Sequence, residues 1–136
     1  MTRLVLDSDV LASALLFRSE ASALFAAWRG HRFLLAVSGP ILEEYARVLR
    51  YARFRLGEPE ADAIVEQLVL PYCERFETVV GPRFCPAPDS DKFMLCALVA
   101  QAAALVSGDQ SLLSLGSRAG RVPVISAADA CARFCR

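Results

Sequence analysis

Five short runs, Leu4–Leu6, Phe33–Val37, Phe76–Val80, Ala104–Ser107 and Val122–Ile125, are β-branched or leucine-rich with little polar alternation, and helical patterns separate them. A strand with one wet face alternates polar and apolar residues; a largely apolar run is covered on both faces. Strands of that kind alternating with helices build a parallel sheet between two helical layers, so the fold class is α/β. In open sheets of this class, sites form outside the carboxyl ends of the strands.

The helical patterns run from about Asp9 to Phe17, Glu20 to Arg29, Pro40 to Tyr51, Pro59 to Arg75, Asp89 to Ala103, Gln110 to Leu115 and Ser126 to Phe134. Ser38 or Gly39 caps the third of these, with Pro40 in its first turn. The proline-rich stretch from Gly81 to Pro88 reads as a loop. No repeat, linker or low-complexity tract interrupts the pattern, and 136 residues fit one domain, 1–136.

The chain is apolar, with 55% hydrophobic residues and a mean hydropathy of +0.38. Its longest apolar stretch, Phe93 to Val106, is broken by Gln101 and falls short of the ~20 residues a bilayer span needs. The start, Met1 to Asp7, enters a strand without the apolar stretch and cleavage site of a signal peptide. A cytoplasmic protein without a membrane segment is expected. The cysteines, Cys73, Cys85, Cys96, Cys131 and Cys135, are odd in number and form no CxxC pair, which points to reduced, mostly buried thiols rather than a zinc site. Net charge is zero, so no global basic field drives nonspecific nucleic-acid binding. Basic residues are nonetheless grouped, with Arg47, Arg50, Arg53 and Arg55 in one stretch and Arg29, His31 and Arg32 in another. Either group suits phosphate backbone or a solvated helix face.

Four acids fall at strand ends or helix edges. Asp7 follows Leu4-Val5-Leu6; the helix after it can be capped by Ser8 or Asp9, and Asp9 fits that role better, which leaves Asp7 over. Glu44 borders the apolar stripe Ile41, Leu42, Tyr45, Val48 and Leu49, where it either reaches a cleft or pairs with Arg47 or Arg50. Asp91 lies in line with Leu95, Leu98 and Ala102, with Asp89 as the natural cap; it is either a site acid or a first-turn acid favoured by the positive helix end. Asp109, after Ser107-Gly108, ends a strand or merely caps the helix beginning at Gln110. Carboxylates held this close to a core need a reason, and shared coordination of a hard divalent cation supplies one.

The stretches Leu4-Val-Leu-Asp-Ser-Asp-Val-Leu11, Ser38-Gly-Pro-Ile-Leu-Glu-Glu-Tyr45, Pro88-Asp-Ser-Asp-Lys-Phe-Met94 and Leu105-Val-Ser-Gly-Asp-Gln-Ser-Leu-Leu113 resemble, in order, the motifs of PIN-domain nucleases. The likeness is to the bacterial toxin components of toxin–antitoxin systems related to VapC-type toxins. It implies a three-layer fold whose five-stranded parallel sheet has the order 3-2-1-4-5. It also implies a catalytic acidic quartet of Asp7, Glu44, Asp91 and Asp109, and an Mg²⁺- or Mn²⁺-dependent endoribonuclease, often a homodimer neutralised by an antitoxin. Asp7, Asp91 and Asp109 are then metal ligands, Glu44 orients water or a second ion, and Asp9, where the family has Asn, is a further ligand candidate. Arg47, Arg50 and Arg53 are candidate RNA-backbone contacts. The chain departs from the pattern at Ala87 and Ser111, where accessory acids are common.

Two other readings stay open. One is a catalytically weak PIN-fold interaction module that binds an antitoxin. The other is a haloacid-dehalogenase-like phosphatase, suggested by Asp7-Ser-Asp9-Val; its downstream GDxxxD pattern begins at Gly108-Asp109 but meets Leu113 where the second Asp belongs.

Overall fold

The computed structural model describes residues 2–16, 21–51, 57–78, 91–114 and 122–135. Five strands form one sheet: β1 (Arg3–Leu6), β2 (Leu34–Val37), β3 (Cys73–Arg75), β4 (Ala104–Val106) and β5 (Val124–Ile125), in the order β3-β2-β1-β4-β5. Every pairing is parallel, with Leu4 opposite both Leu35 and Ala104. The strand residues from Leu4 to Leu6, Leu35 to Val37 and Ala104 to Val106 are all buried, as runs covered on both faces must be. The parallel α/β architecture and the strand order therefore match expectation.

Among the described residues the helices are α1 (Ser8–Leu16), α2 (Ala21–Arg29), α3 (Gly39–Leu49), α4 (Glu58–Ile64), α5 (Asp91–Ala100), α6 (Gln110–Leu113) and α7 (Ala127–Phe134). None is long and apolar enough by itself to cross a membrane. Ser38 caps α3, its hydroxyl accepting from Ile41 N–H at 3.4 Å, and Pro40 sits in the first turn where no donor is lost. The expected caps at Ser38 and Pro40 are thus in place. Asp89 and the loop from 81 to 88 lie outside the described residues.

The third strand lies earlier than expected, and the helix before it is shorter. After α4 the chain loosens into a π-helical stretch, Val65–Val69, then one 3₁₀ turn, Leu70–Tyr72, and pairs with β2 from Cys73. Pro71 is the cause. It has no N–H to give Gln67 and its ring crowds the preceding turn, so an α-helix cannot run through to Arg75. Leu70 N–H reaches back to Val65 instead, the wider spacing of a π turn. Phe76 still donates to Val37 at 2.8 Å, but Glu77 and Thr78 fall outside the strand.

Two helices that feed strands end in the left-handed region without glycine. His31 (φ 60°) follows α2 and Gln101 (φ 52°) follows α5. In each case the next residue donates back across the terminus, Arg32 to Ala27 and Ala102 to Ala97, both at 2.9 Å. These bonds satisfy the last helical carbonyls and turn the chain sharply into β2 and β4.

Candidate active site

With strand order 3-2-1-4-5, the chain leaves β1 toward one edge of the sheet and reaches β4 on its other side. A crevice opens at the carboxyl ends of these two neighbours. The residues there come from distant parts of the sequence. Asp7 follows β1 and donates its N–H to Val106 at 3.0 Å, while Ser107 and Asp109 follow β4. From β2 the chain enters α3, whose Tyr45 is fully buried and donates its hydroxyl to the Leu6 carbonyl at 2.6 Å. Burial, with Cys96 and Asp7 among the nearby groups, pushes the Tyr45 phenol well up, so it stays protonated as a donor. That bond pins α3 to the end of β1, and the neighbouring Glu44 consequently meets Ser8, whose hydroxyl donates to Glu44 Oε2.

The result is a cleft of about 190 Å³ lined by Asp7, Ser8, Asp9, Glu44, Val48, Tyr51, Phe93, Asp109 and Leu112. Three of the four expected acids, Asp7, Glu44 and Asp109, share it, and Asp9 joins them. Asp91 does not line it. The most buried face of α5 carries Phe93, Met94, Cys96, Ala97 and Ala100, whereas Leu95 and Leu98 are only partly covered. Of the stripe expected through Leu95, Leu98 and Ala102, Ala102 is buried and Leu98 packs against the core in part, so the core face of α5 is centred on other residues. Asp91 opens α5, is half-buried, and is not without a partner of its own.

Asp7 is the buried centre of the site, 8% exposed. Its Oδ1 accepts Val10 N–H at 2.9 Å and its Oδ2 accepts the Ser107 hydroxyl at 2.5 Å. Asp7 itself thus takes the capping bond of α1 expected of Ser8 or Asp9, because a helix beginning at Ser8 puts its N-cap one residue earlier. Burial raises the Asp7 pKa to about 6, against the Ser107, Val10 and Gly108 hydrogen bonds, which lower it; the charge of Asp9 adds to the rise. Asp109 is exposed and caps α6, its Oδ1 accepting Ser111 N–H at 2.9 Å and the Ser111 hydroxyl at 2.8 Å. Capping therefore holds for Asp109, while its backbone N–H, bonded to Ser107 Oγ at 3.0 Å, ties it to the Asp7 network.

Glu44 is partnered by two cations as well as by Ser8. Its Oε1 meets Lys92 Nζ at 2.6 Å and Arg47 at 3.2 Å. Arg50 turns away from Glu44 to Asp62 at 2.6 Å, with Glu58 at 3.9 Å, and so staples α3 to α4. Arg53 lies outside the described residues. The second basic group sits before β2, at the end of the sheet opposite Asp7: Arg29 stacks on Tyr72 at 3.9 Å, and Arg32 donates to the Cys135 carbonyl. No disulfide joins Cys73, Cys96, Cys131 and Cys135, and only Cys96 is buried, the other three being half-buried rather than mostly buried as expected; Cys85 is outside the described residues. Sequence reasoning missed Ser107, Ser8 and Tyr51. Ser107 was legible only as part of the Ser107-Gly108-Asp109 run, and Ser8 and Tyr51 carry no spacing signal.

A model of the PIN domain family matches residues 3–111, a span holding Asp7, Asp9, Glu44, Asp91 and Asp109, and the chain belongs to that family. The PIN fold is a nuclease-type fold, and its members generally use divalent metal ions. No curated protein matches the chain. The donors in the cleft suit such an ion chemically, being hard carboxylate and hydroxyl oxygens. A cation already stands against one of them in the form of the Lys92 ammonium. Among the described residues, however, no three His, Cys, Asp or Glu side chains are drawn together into a ready-made site. The cleft gathers the acids without closing them on a point.

Proposed function

We propose that this cleft hydrolyses RNA phosphodiester bonds with the aid of Mg²⁺ or Mn²⁺, and that the protein is the toxin of a toxin–antitoxin pair. The observation that carries this reading is the convergence of Asp7, Asp9, Glu44 and Asp109, from three separate segments, on one cleft at the switch point of a PIN-family sheet. Asp7 and Asp109, with Asp9, would hold the ion and Glu44 would orient water beside it; Asp91, off the cleft lining, would join them on a movement of α5 toward the cleft. When bound, the ion neutralises phosphoryl oxygens and activates water.

The chain's own groups prepare for that chemistry. Ser107 and Val10 lock the Asp7 carboxylate in one rotamer, so binding costs little reorganisation. Without a cation the clustered carboxylates repel RNA, and neutralising them opens the cleft to phosphate. Arg47, 58% exposed at its side chain, stands at the rim as a backbone contact. Tyr51, 44% exposed, offers a ring face on which a splayed base can stack. An antitoxin chain and a second copy of the protein are the partners this reading expects. Its test is cleavage of a fluorescent single-stranded RNA with Mg²⁺, with EDTA, and by Asp7→Asn. Activity that survives chelation or the substitution sinks it.

One observation favours a second reading, the catalytically weak interaction module. Glu44 is neutralised by Lys92 and Arg47, and Ser111, standing where an accessory acid is common, is spent on the Asp109 cap. A co-purifying small protein, together with no Mg²⁺-induced rise in melting temperature, would select it, because an ion that binds only the folded state must stabilise it.

A further inference from the structure

We propose that Lys92 is the resident counter-cation of the acidic cleft: its ammonium neutralises Glu44, and a divalent ion binds by displacing it. The inference rests on the metal-dependent reading above. Lys92 is the only lysine in a chain with 15 Lys and Arg residues, and it stands on α5 next to the acidic cleft. Its Nζ lies 2.6 Å from Glu44 Oε1, with the two side chains 22% and 12% exposed. A pair so sheltered is screened less than a surface ion pair.

Both Glu44 oxygens are committed, Oε2 to the Ser8 hydroxyl and Oε1 to Lys92 and Arg47. An incoming ion therefore meets a neutralised pair rather than a free anion. Lysine suits a displaceable role better than arginine. Its charge is a compact point on a four-carbon stem that can swing to water, whereas a guanidinium fork makes several directional bonds at once. Arg47, more exposed and at 3.2 Å, is the lesser competitor.

Two consequences are measurable. With Lys92→Gln the competitor is gone, and in metal-free buffer calorimetric titration with MnCl₂ gives about tenfold tighter binding than wild type. Equal or weaker binding by the folded variant overturns the proposal while leaving metal dependence intact. Absence of Mn²⁺ binding by both proteins removes the nuclease reading and this inference together.

The second measurement keeps a lysine at position 92 and does not depend on the folding of Lys92→Gln. Because Lys92 is the sole lysine, reductive ¹³C-methylation labels one side-chain amine and preserves its charge. Adding Mg²⁺ moves that methyl NMR signal to the position of a solvent-exposed dimethyl-lysine, where the Glu44→Gln protein already shows it. A signal unmoved at Mg²⁺ concentrations that saturate the calorimetric isotherm overturns the proposal.

Discussion

Ser107 donates its hydroxyl to Asp7 Oδ2 at 2.5 Å across 100 positions of sequence, joining the carboxyl ends of β1 and β4 into one polar floor. Through its Oγ the same serine receives Asp109 N–H at 3.0 Å, so two candidate ligands share one positioning group. The floor is buried, and an ionised Asp7 there lacks the hydration it would have in the unfolded chain.

Asp7 sets a pH dependence whose sign follows from its raised pKa. Between about pH 4 and pH 6 the folded protein holds a proton that the unfolded chain releases, so this contribution to stability is whole below that window and is lost as pH rises through it. A shift from 3.8 to about 6 corresponds to about 3 kcal/mol at most. In metal-free buffer Asp7→Asn should accordingly unfold at higher denaturant than wild type at pH 7.5, with the gap closing toward pH 4. A gap independent of pH would show that Asp7 is not a strained anion.

Removing single carboxylates should separate the centre of the site from its margin. Asp7→Asn is expected to lower RNA cleavage at least a hundredfold and Asp109→Asn by a similar order, with the fold retained by circular dichroism. Asp91, off the cleft lining, is the discriminating position. A loss as large as that of Asp7→Asn would mean that α5 shifts toward the cleft when an ion binds.

The Tyr45 hydroxyl on the Leu6 carbonyl joins α3 to the sheet inside the core. Tyr45→Phe keeps the ring and deletes the donor, leaving a buried acceptor, at a cost of about 1–2 kcal/mol in urea denaturation. Because this bond places Glu44 against Ser8, Mn²⁺ affinity should fall as well. Unchanged stability would show that the carbonyl is satisfied otherwise.

Arg47 and Arg50 lie one turn apart on the same helix end and should differ in RNA binding. Arg50 is committed to Asp62 and Glu58, whereas Arg47, more exposed, is paired among the described residues with Glu44 at the rim. Arg47→Ala should reduce the salt dependence of RNA affinity by about one ion, and Arg50→Ala should leave it unchanged while costing under ~1 kcal/mol of stability. Equal salt slopes in the two variants would contradict this assignment.

Tyr51 gives a sharper probe of single-strand binding. Tyr51→Ala should weaken binding of a short single-stranded RNA about tenfold, and Tyr51→Phe should retain it, because stacking needs the ring and not the hydroxyl. Fluorescence anisotropy measures both; an equal loss in the two variants would instead point to a hydroxyl contact.

Much of this molecule is readable from local pattern. Apolar runs such as Leu4–Leu6 and Ala104–Val106 show a buried parallel sheet, because a strand covered on both faces has no place for polar alternation. Ser38 and Pro40 mark the start of α3 by their own chemistry. The acids Asp7, Glu44 and Asp109 stand out because carboxylates beside apolar runs demand compensation. Local pattern misled where the partner was distant or the breaker was weighed too lightly. Pro71 ended a helix that periodicity extended to Arg75, and the α5 stripe rotated because packing against the sheet, not the sequence's own apolar balance, chose its buried face.

The chain by itself thus determined the fold class and nominated the acids, since strand, cap and helix signals act over a few residues. Only the tertiary structure decided which acids share a cleft, that Asp7 rather than Asp9 caps α1, and that Lys92 stands against Glu44. Those outcomes depend on contacts between segments tens of residues apart, whose geometry is set by strand order and by anchors such as the Tyr45–Leu6 bond. No spacing rule along a sequence encodes such contacts.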